Sequence, residues 1–280
     1  QVPAMLLSGI TIVISPLISL MQDQVKSLNE AGINAAYINS TLSEQQMYKA
    51  LDYAAQGKYK IIYVAPERLE TMSFMTFAQK ADISMVTIDE AHCISQWGQD
   101  FRPSYLKIVD IIDSLPERPV VSAFTATATS EVKTDIECIL KLKSPKLVVT
   151  GFDRKNLYYS VEHLSGKKKD AYIAAYIKEY MDESGIIYCA TRKNVDKLYD
   201  EFSSLGISVT KYHAGLDNET RKQNQDDFIY DRVQVVIATN AFGMGIDKSN
   251  VRYVIHYNMP QSMENYYQEA GRAGRDGGES

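Results

Sequence analysis

Cysteine is scarce in this sequence: Cys93, Cys138 and Cys189 are the only three in 280 residues, and none belongs to a Cys-x-x-Cys pair. An odd, scattered set excludes a disulfide framework. With no second ligand pair near His92 and Cys93, it also excludes a structural zinc within this chain. A reducing, cytoplasmic setting is the expectation. No apolar run approaches the roughly 20 residues that a membrane helix needs. Residues 1–7 have neither the basic start nor the cleavage site of a signal peptide, and read as a chain entered partway through an element. Positive charge is not in excess either: 30 Lys and Arg stand against 35 Asp and Glu, a net charge of −5. Bulk charge therefore does not mark a nucleic-acid binder, and any such case rests on motifs. Finally, no Gly-Lys-Ser or Gly-Lys-Thr occurs. Gly57-Lys58 is followed by Tyr59 and Gly166-Lys167 by Lys168, so the phosphate-binding Gly-x-x-x-x-Gly-Lys-Ser/Thr loop is missing.

What is present is a duplicated layout on a chain long enough for two domains. Gly9-Ile-Thr-Ile-Val-Ile-Ser15 is an apolar, β-branched run of the buried-strand type. A helix follows with Ile18, Met21, Val25 and Leu28 on one face; Gly32 stops it, and a strand is expected from Ile33. From Gly185 the scheme repeats. Ile186-Ile-Tyr-Cys-Ala190 is a strand, Val195, Leu198, Tyr199 and Phe202 stripe a helix, Gly206 ends it, and Ile207 opens the next strand. Leu42-Ser-Glu-Gln pairs with Leu216-Asp-Asn-Glu, residues 60–64 with 234–237, and 85–88 with 253–256. Strands alternating with helices predict right-handed βαβ units and parallel sheets. The expectation is α/β: two tandem lobes of similar topology, 1–150 and 151–280, with ligands beyond the carboxyl ends of the strands.

The chemistry-bearing residues follow strands directly. Asp89-Glu90-Ala91-His92 ends the apolar run 85–88, an arrangement in which one carboxylate holds Mg²⁺ through water and its neighbour polarises the attacking water. The plain alternative is a solvated helix start, since acids suit helix N-termini. Ser122-Ala-Phe-Thr-Ala-Thr-Ala-Thr129 follows Val120 and Val121; its hydroxyls can link neighbouring sites or simply cap the next helix. Gln268-Glu-Ala-Gly-Arg-Ala-Gly-Arg-Asp-Gly277 sets Arg272 and Arg275 three apart, predicted as one helical turn that can present guanidinium groups to a phosphate, or else a basic surface face. Trp97 stands alone amid polar residues, which suits a contact residue better than a core one.

Together and in this order, the strings resemble the superfamily 2 helicases, and in detail the RecQ type. Cys93-Ile-Ser-Gln-Trp-Gly-Gln-Asp-Phe-Arg-Pro103 is similar to the RecQ aromatic-rich loop and Ser15-Pro-Leu-Ile-Ser-Leu-Met-Gln-Asp-Gln24 to motif Ia. Ala238-Thr-Asn-Ala-Phe-Gly-Met-Gly-Ile-Asp247 is similar to motif V, and the 268–277 string to motif VI. The resemblance spans essentially the whole chain. It implies two RecA-like lobes with Mg²⁺-ATP in the cleft between them, hydrolysis coupled to 3′-to-5′ stepping on DNA, and service in DNA repair and recombination. It implies that Asp89 holds Mg²⁺, that Glu90 activates water, and that Gln268 and Asp247 stand with Asp89 on the nucleotide side. Arg275, with Arg272 beside it, is expected as an arginine finger; spacing does not rank the two. Ser15, Gln24, Thr127, His213 and Thr239 are expected on the DNA or coupling side, as are His92, Trp97, Phe101 and Arg102. His256, inside an apolar strand, reads as a satisfied core histidine.

The departures are equally definite. The phosphate loop should precede residue 1, and the zinc-binding and winged-helix region, with the family's only expected zinc, should begin beyond Ser280. The chain reads as part of a longer protein, expected to hydrolyse ATP negligibly by itself. Two rivals stand beside this reading: an RNA helicase of the same superfamily, and a non-catalytic DNA-binding or scaffold protein.

Overall fold

The computed structural model describes residues 1–98, 100–149, 154–243 and 248–280. The chain forms two compact units, Gln1–Val148 and Val149–Ser280, where the sequence reading sets the join at 150/151. Among the described residues no helix is long and apolar enough to cross a membrane.

The first unit is a five-stranded, all-parallel sheet built from β1 (Ile10–Ile14), β2 (Ala35–Ile38), β3 (Ile61–Val64), β4 (Ile83–Ile88) and β5 (Val120–Ala123), in the order β2-β3-β1-β4-β5. Its helices are α1 (Val2–Leu6), α2 (Ile18–Glu30), α3 (Glu44–Ala55), α4 (Met72–Ala78), α5 (Ile108–Ser114) and α6 (Ser130–Ile139). Side chains alternate across a strand, so a strand covered on both faces feeds two cores. In β3, Ile62 and Val64 pack with Phe74, Phe77 and Ile108, while Ile61 and Tyr63 pack with Met21, Val25 and Leu28 of α2.

The second unit repeats the plan with β6 (Ser184–Tyr188), β7 (Val209–Tyr212), β8 (Val235–Ala238) and β9 (Val251–His256), ordered β7-β8-β6-β9 and again parallel throughout. Helices α7 (Lys167–Glu179), α8 (Arg192–Ser204), α9 (Asn218–Ile229) and α10 (Met263–Ala270) complete it. Ile187, Val235 and Ile237 pack on Val195, Leu198 and Phe202 of α8, and Ile186, Val236 and Ala238 on Phe228 and Phe242.

The duplication reaches fine detail. The β1–β4 pairing shifts register between Ile10 and Thr11, and the β6–β9 pairing shifts at the corresponding place, between Ser184 and Gly185. Both α2 and α8 close with a left-handed glycine, Gly32 at φ +78 and Gly206 at φ +72. In each, the next amide reaches back: Ile33 N–H donates to Leu28 O at 2.9 Å and Ile207 N–H to Phe202 O at 3.1 Å. This is a Schellman closure. It commits Ile33 and Ile207 to the helix end, so β2 and β7 begin at Ala35 and Val209, two residues later than the apolar pattern predicts. Ser43 caps α3 in a full capping box with Gln46, and Asp217 caps α9 at the matching position.

Candidate functional site

In the first unit the acid pair is stitched into the carboxyl edge of the sheet. Asp89 N–H donates to Ile14 O at 2.9 Å, Phe124 N–H to Ile88 O at 2.8 Å, and Ala91 N–H back to Phe124 O at 2.8 Å. These bonds hold the turn after β4 between the ends of β1 and β5. The Asp89 carboxylate is set by two donors, Ser15 Oγ to Oδ2 at 3.1 Å and Glu90 N–H to Oδ1 at 3.0 Å. Tyr105, fully buried, donates its hydroxyl to the Asp89 carbonyl at 2.9 Å, and burial pushes its phenol pKa upward, keeping the donor proton in place. Among the described residues no basic side chain is ion-paired with Asp89. Glu90 adopts a left-handed conformation, φ 46 and ψ 46. For a non-glycine residue this costs on the order of 1–3 kcal/mol, strain that concentrates at functional sites. Ser15 was expected on the DNA side; it is instead fully buried and turned onto Asp89.

His92 lies beneath this pair, 4% exposed. Its Nδ1 is 2.9 Å from Thr125 Oγ1 and 3.3 Å from Glu90 Oε2. Burial lowers its pKa, so the ring is neutral near pH 7. Thr125 donates its hydroxyl to Thr127 O at 3.0 Å and accepts from Thr127 N–H at 3.2 Å. That assigns the ring proton to Nδ1, donated to Thr125, with the Glu90 carboxylate close by. The threonine-rich string therefore does two jobs: Thr125 bonds the acid motif, and Thr129 caps α6 by accepting from Val132 N–H at 3.3 Å. Thr127, expected on the DNA or coupling side, is buried, and its hydroxyl has no protein partner.

The loop after His92 is held from below and exposed above. Buried Ser95 donates to Asp135 Oδ2 of α6 at 2.6 Å and accepts Trp97 N–H at 3.1 Å. Arg102 closes the far side, its N–H on Cys93 O at 2.9 Å and its guanidinium on Asp100 Oδ2 at 2.9 and 2.7 Å. Trp97 itself is 77% exposed and Phe101 half-buried. Gln24 accepts a hydrogen bond from Gln1 Nε2 and is half-buried on α2.

In the second unit α10 ends at Ala270, and residues 271–276 form successive turns, so Arg272 and Arg275 are not one helical turn apart as predicted. Their environments separate them. Arg272 is buried and donates to Gly243 O of the string after β8, whereas Arg275 is exposed. Asp247 lies outside the described residues. Thr239 is buried; its N–H donates to Tyr212 O at 3.2 Å and its hydroxyl accepts from Ala241 N–H at 3.4 Å. Gln268 is half-buried on α10, and its neighbour Glu269 meets His256 Nε2 at 2.9 Å, giving that strand histidine its partner. His213 departs from expectation. It is 5% exposed with both nitrogens engaged, Nδ1 by Gly215 N–H at 3.1 Å and Nε2 by Asp196 Oδ1 at 3.3 Å. It therefore shapes its loop from inside and does not offer a surface contact.

Sequence reasoning did not single out Thr125, Ser95, Asp135, Arg154 or Asn156. A separate cavity of about 660 Å³ opens at the opposite, amino edge of the first sheet, lined by Gly9, Lys58 and Lys60 among others. It holds none of the acid motif, and Lys60 Nζ is already bonded to the Leu7 and Gly9 carbonyls.

Comparison with known proteins finds helicases similar to both units. The DEAD/DEAH box helicase model matches residues 3–135, and the helicase conserved C-terminal domain model matches residues 167–277. The chain is 52% identical over 277 residues to the ATP-dependent DNA helicase RecQ of Bacillus subtilis (strain 168), covering 99% of this chain and 46% of that protein. It is 44% identical over 276 residues to the protein of the same name from Pasteurella multocida (strain Pm70), covering 99% and 43%. The chain thus spans less than half the length of these curated relatives. Two solved structures share the fold: S. cerevisiae Dbp5 bound to RNA and ADP BeF3, at TM-score 0.72 and 22% identity over 98% of this chain and 70% of that one, and the DUF1998 helicase MrfA bound to DNA and AMPPNP, at 0.74 and 19% over 97% and 41%. With helicase models on both units and RecQ relatives aligned over nearly every residue, the chain is similar to RecQ-type helicases along nearly its whole length.

Proposed function

We propose that this chain is the motor core of an ATP-dependent, 3′-to-5′ DNA helicase, in which hydrolysis of ATP drives DNA strand separation. The observation that carries the reading is the close-packed path from Asp89 and Glu90 past His92, which bonds Thr125, with an exposed Trp97 on the loop that leaves it. Phosphoryl transfer needs a carboxylate for the metal, a base for water, and positive charge on the transferring group. Asp89 offers a hard oxygen ligand pre-set by Ser15 and free of ion-paired bases among the described residues, which fits Mg²⁺. Among the described residues no group of three or more His, Cys, Asp or Glu side chains forms a metal cage there. An ion bound mainly by substrate phosphates and water, with one carboxylate, suits that count. Bound Mg²⁺ would supply charge neutralisation on the phosphates.

The chain's own residues do the rest. Glu90 orients and deprotonates water, and neutral His92, held by Thr125, packs against the Glu90 carboxylate. Arg275 supplies the guanidinium for the transferring group. Trp97 reports DNA to the acid pair through the loop that Ser95 anchors. The test is ATP hydrolysis and unwinding by the full-length protein, with single-stranded DNA or RNA of equal length as activator. The expected result is strong stimulation by DNA and unwinding of duplexes with a 3′ tail. Stimulation by RNA alone would move the protein to RNA work, and absence of nucleic-acid-stimulated hydrolysis would leave only a binding role.

A further inference from the structure

The turn that carries Arg275 is wrapped around two side chains from a different part of the unit. Arg154 donates Nη1–H to Gly271 O at 3.3 Å and Nη2–H to Ala273 O at 3.1 Å and Gly274 O at 2.7 Å. Asn156 donates its amide to Gly274 O at 2.9 Å and Gly278 O at 2.7 Å. Gly274 sits at φ +57, and a Cβ there would come within 2.4 Å of Asn156 Nδ2, so Asn156 fills the room a side chain at 274 would take. Gly274 N–H in turn donates to Val251 O of β9 at 2.8 Å. Arg275 is the next residue, and its side chain is exposed.

We propose that Arg154 and Asn156 are positioning residues for Arg275: their carbonyl clamp fixes the direction in which that arginine leaves the turn. The proposal rests on the reading that Arg275 serves the transferring phosphoryl group. The chemistry suits a clamp. A planar guanidinium presents several donors at fixed angles to diverging carbonyls, a task one ammonium cannot copy, and donors carrying charge make the stronger bonds. Among the described residues Arg154 pairs with no carboxylate, so its donors are spent on this turn. Both clamp residues come just after the join at Val148/Val149.

The experiment is a mutant cycle in the full-length protein, read as single-turnover ATP hydrolysis at saturating DNA, with ATP affinity and melting temperature measured alongside. Arg154→Lys and Asn156→Ala are each expected to slow hydrolysis by about tenfold, while ATP affinity stays within about threefold and the protein stays folded. In an Arg275→Ala background the same substitutions should cost nothing further, because the residue they position is gone. Full additivity in that background, normal hydrolysis by Arg154→Lys, or unfolding by both mild variants overturns the clamp. Normal hydrolysis by Arg275→Ala alone would instead strike the proposed function itself.

Discussion

The His92 imidazole and the Thr125 hydroxyl lie 2.9 Å apart across 33 residues of sequence. That bond joins the turn after β4 to the turn after β5, and the same ring nitrogen faces Glu90. A change felt at either turn therefore reaches the surroundings of Glu90, the proposed base. Thr125→Val keeps the shape and removes the hydroxyl. DNA-stimulated hydrolysis in the full-length protein should fall by about tenfold, the equivalent of one ordinary hydrogen bond's net worth of about 1 kcal/mol or slightly more. ATP affinity, measured by equilibrium binding, should hold. Weakened ATP binding with unchanged turnover would mean that the bond serves the nucleotide and not the coupling.

Glu90→Gln keeps volume and loses basicity. Turnover should drop by roughly 10²- to 10⁴-fold, the usual range for general acid–base help. ATP should still bind, because Asp89, the proposed metal ligand, keeps its Ser15 contact. The left-handed backbone at 90 is unaltered by this change, so the melting temperature should move little. A turnover number equal to the parent's would remove Glu90 from the mechanism.

Much of this was legible in the sequence because apolar period and stop signals are local. The repeat of a strand, a helix and a left-handed glycine at Gly32 and Gly206 predicted both units and the position of Asp89 and Glu90 after β4. What was not legible depends on long-range packing. Ser15 is expected on the DNA side through its motif, yet the parallel neighbour relation of β1 and β4 turns it onto Asp89. His213 follows a strand as contact residues do, but Asp196 on α8 and Gly215 occupy both its nitrogens. Arg154 fell in a charged stretch that looked like a break between domains, because no periodicity signals a residue whose partners are carbonyls more than a hundred positions away.

Trp97 is the test of the loop. With 77% of its surface exposed, its removal should leave the melting temperature nearly unchanged, within the roughly 0.5 kcal/mol typical of surface positions. Trp97→Ala should nonetheless lower DNA-stimulated turnover and unwinding more than DNA-free turnover, since a base stacked on an aromatic is worth about 1–3 kcal/mol. Equal losses with and without DNA would indicate packing in place of contact.

The three cysteines should differ sharply in reactivity. Cys93 and Cys189 are buried, and burial pushes each thiol up to about 12, so almost no thiolate exists at pH 8. Cys138 is exposed on α6. Alkylation of the native protein followed by mass spectrometry should mark Cys138 alone, and denaturant should open the other two. Rapid native labelling of Cys93 would show that the segment beside His92 opens readily.

Arg272 and Arg275 can be told apart by measuring stability and turnover together. Arg272 is buried, donates to Gly243 O, and acts on Tyr188, whose phenol burial pushes up to about 12 while Arg272 pulls it back. Arg272→Ala leaves the Gly243 carbonyl without this donor inside the unit. It should destabilise the protein by about 1–3 kcal/mol, the usual cost of an unsatisfied buried polar group. Arg275 is exposed, so Arg275→Ala should leave the melting temperature near the parent value. Turnover should respond in the opposite order of directness. Arg275→Ala should remove roughly 10³- to 10⁵-fold in rate, the range for an arginine finger, with ATP affinity within about tenfold. Arg275→Lys should rescue poorly, because an ammonium lacks the planar fork. Arg272→Ala should lose activity only together with folded protein or with order in the string around Gly243. An Arg272→Ala variant that melts normally yet is as inactive as Arg275→Ala would exchange the two roles.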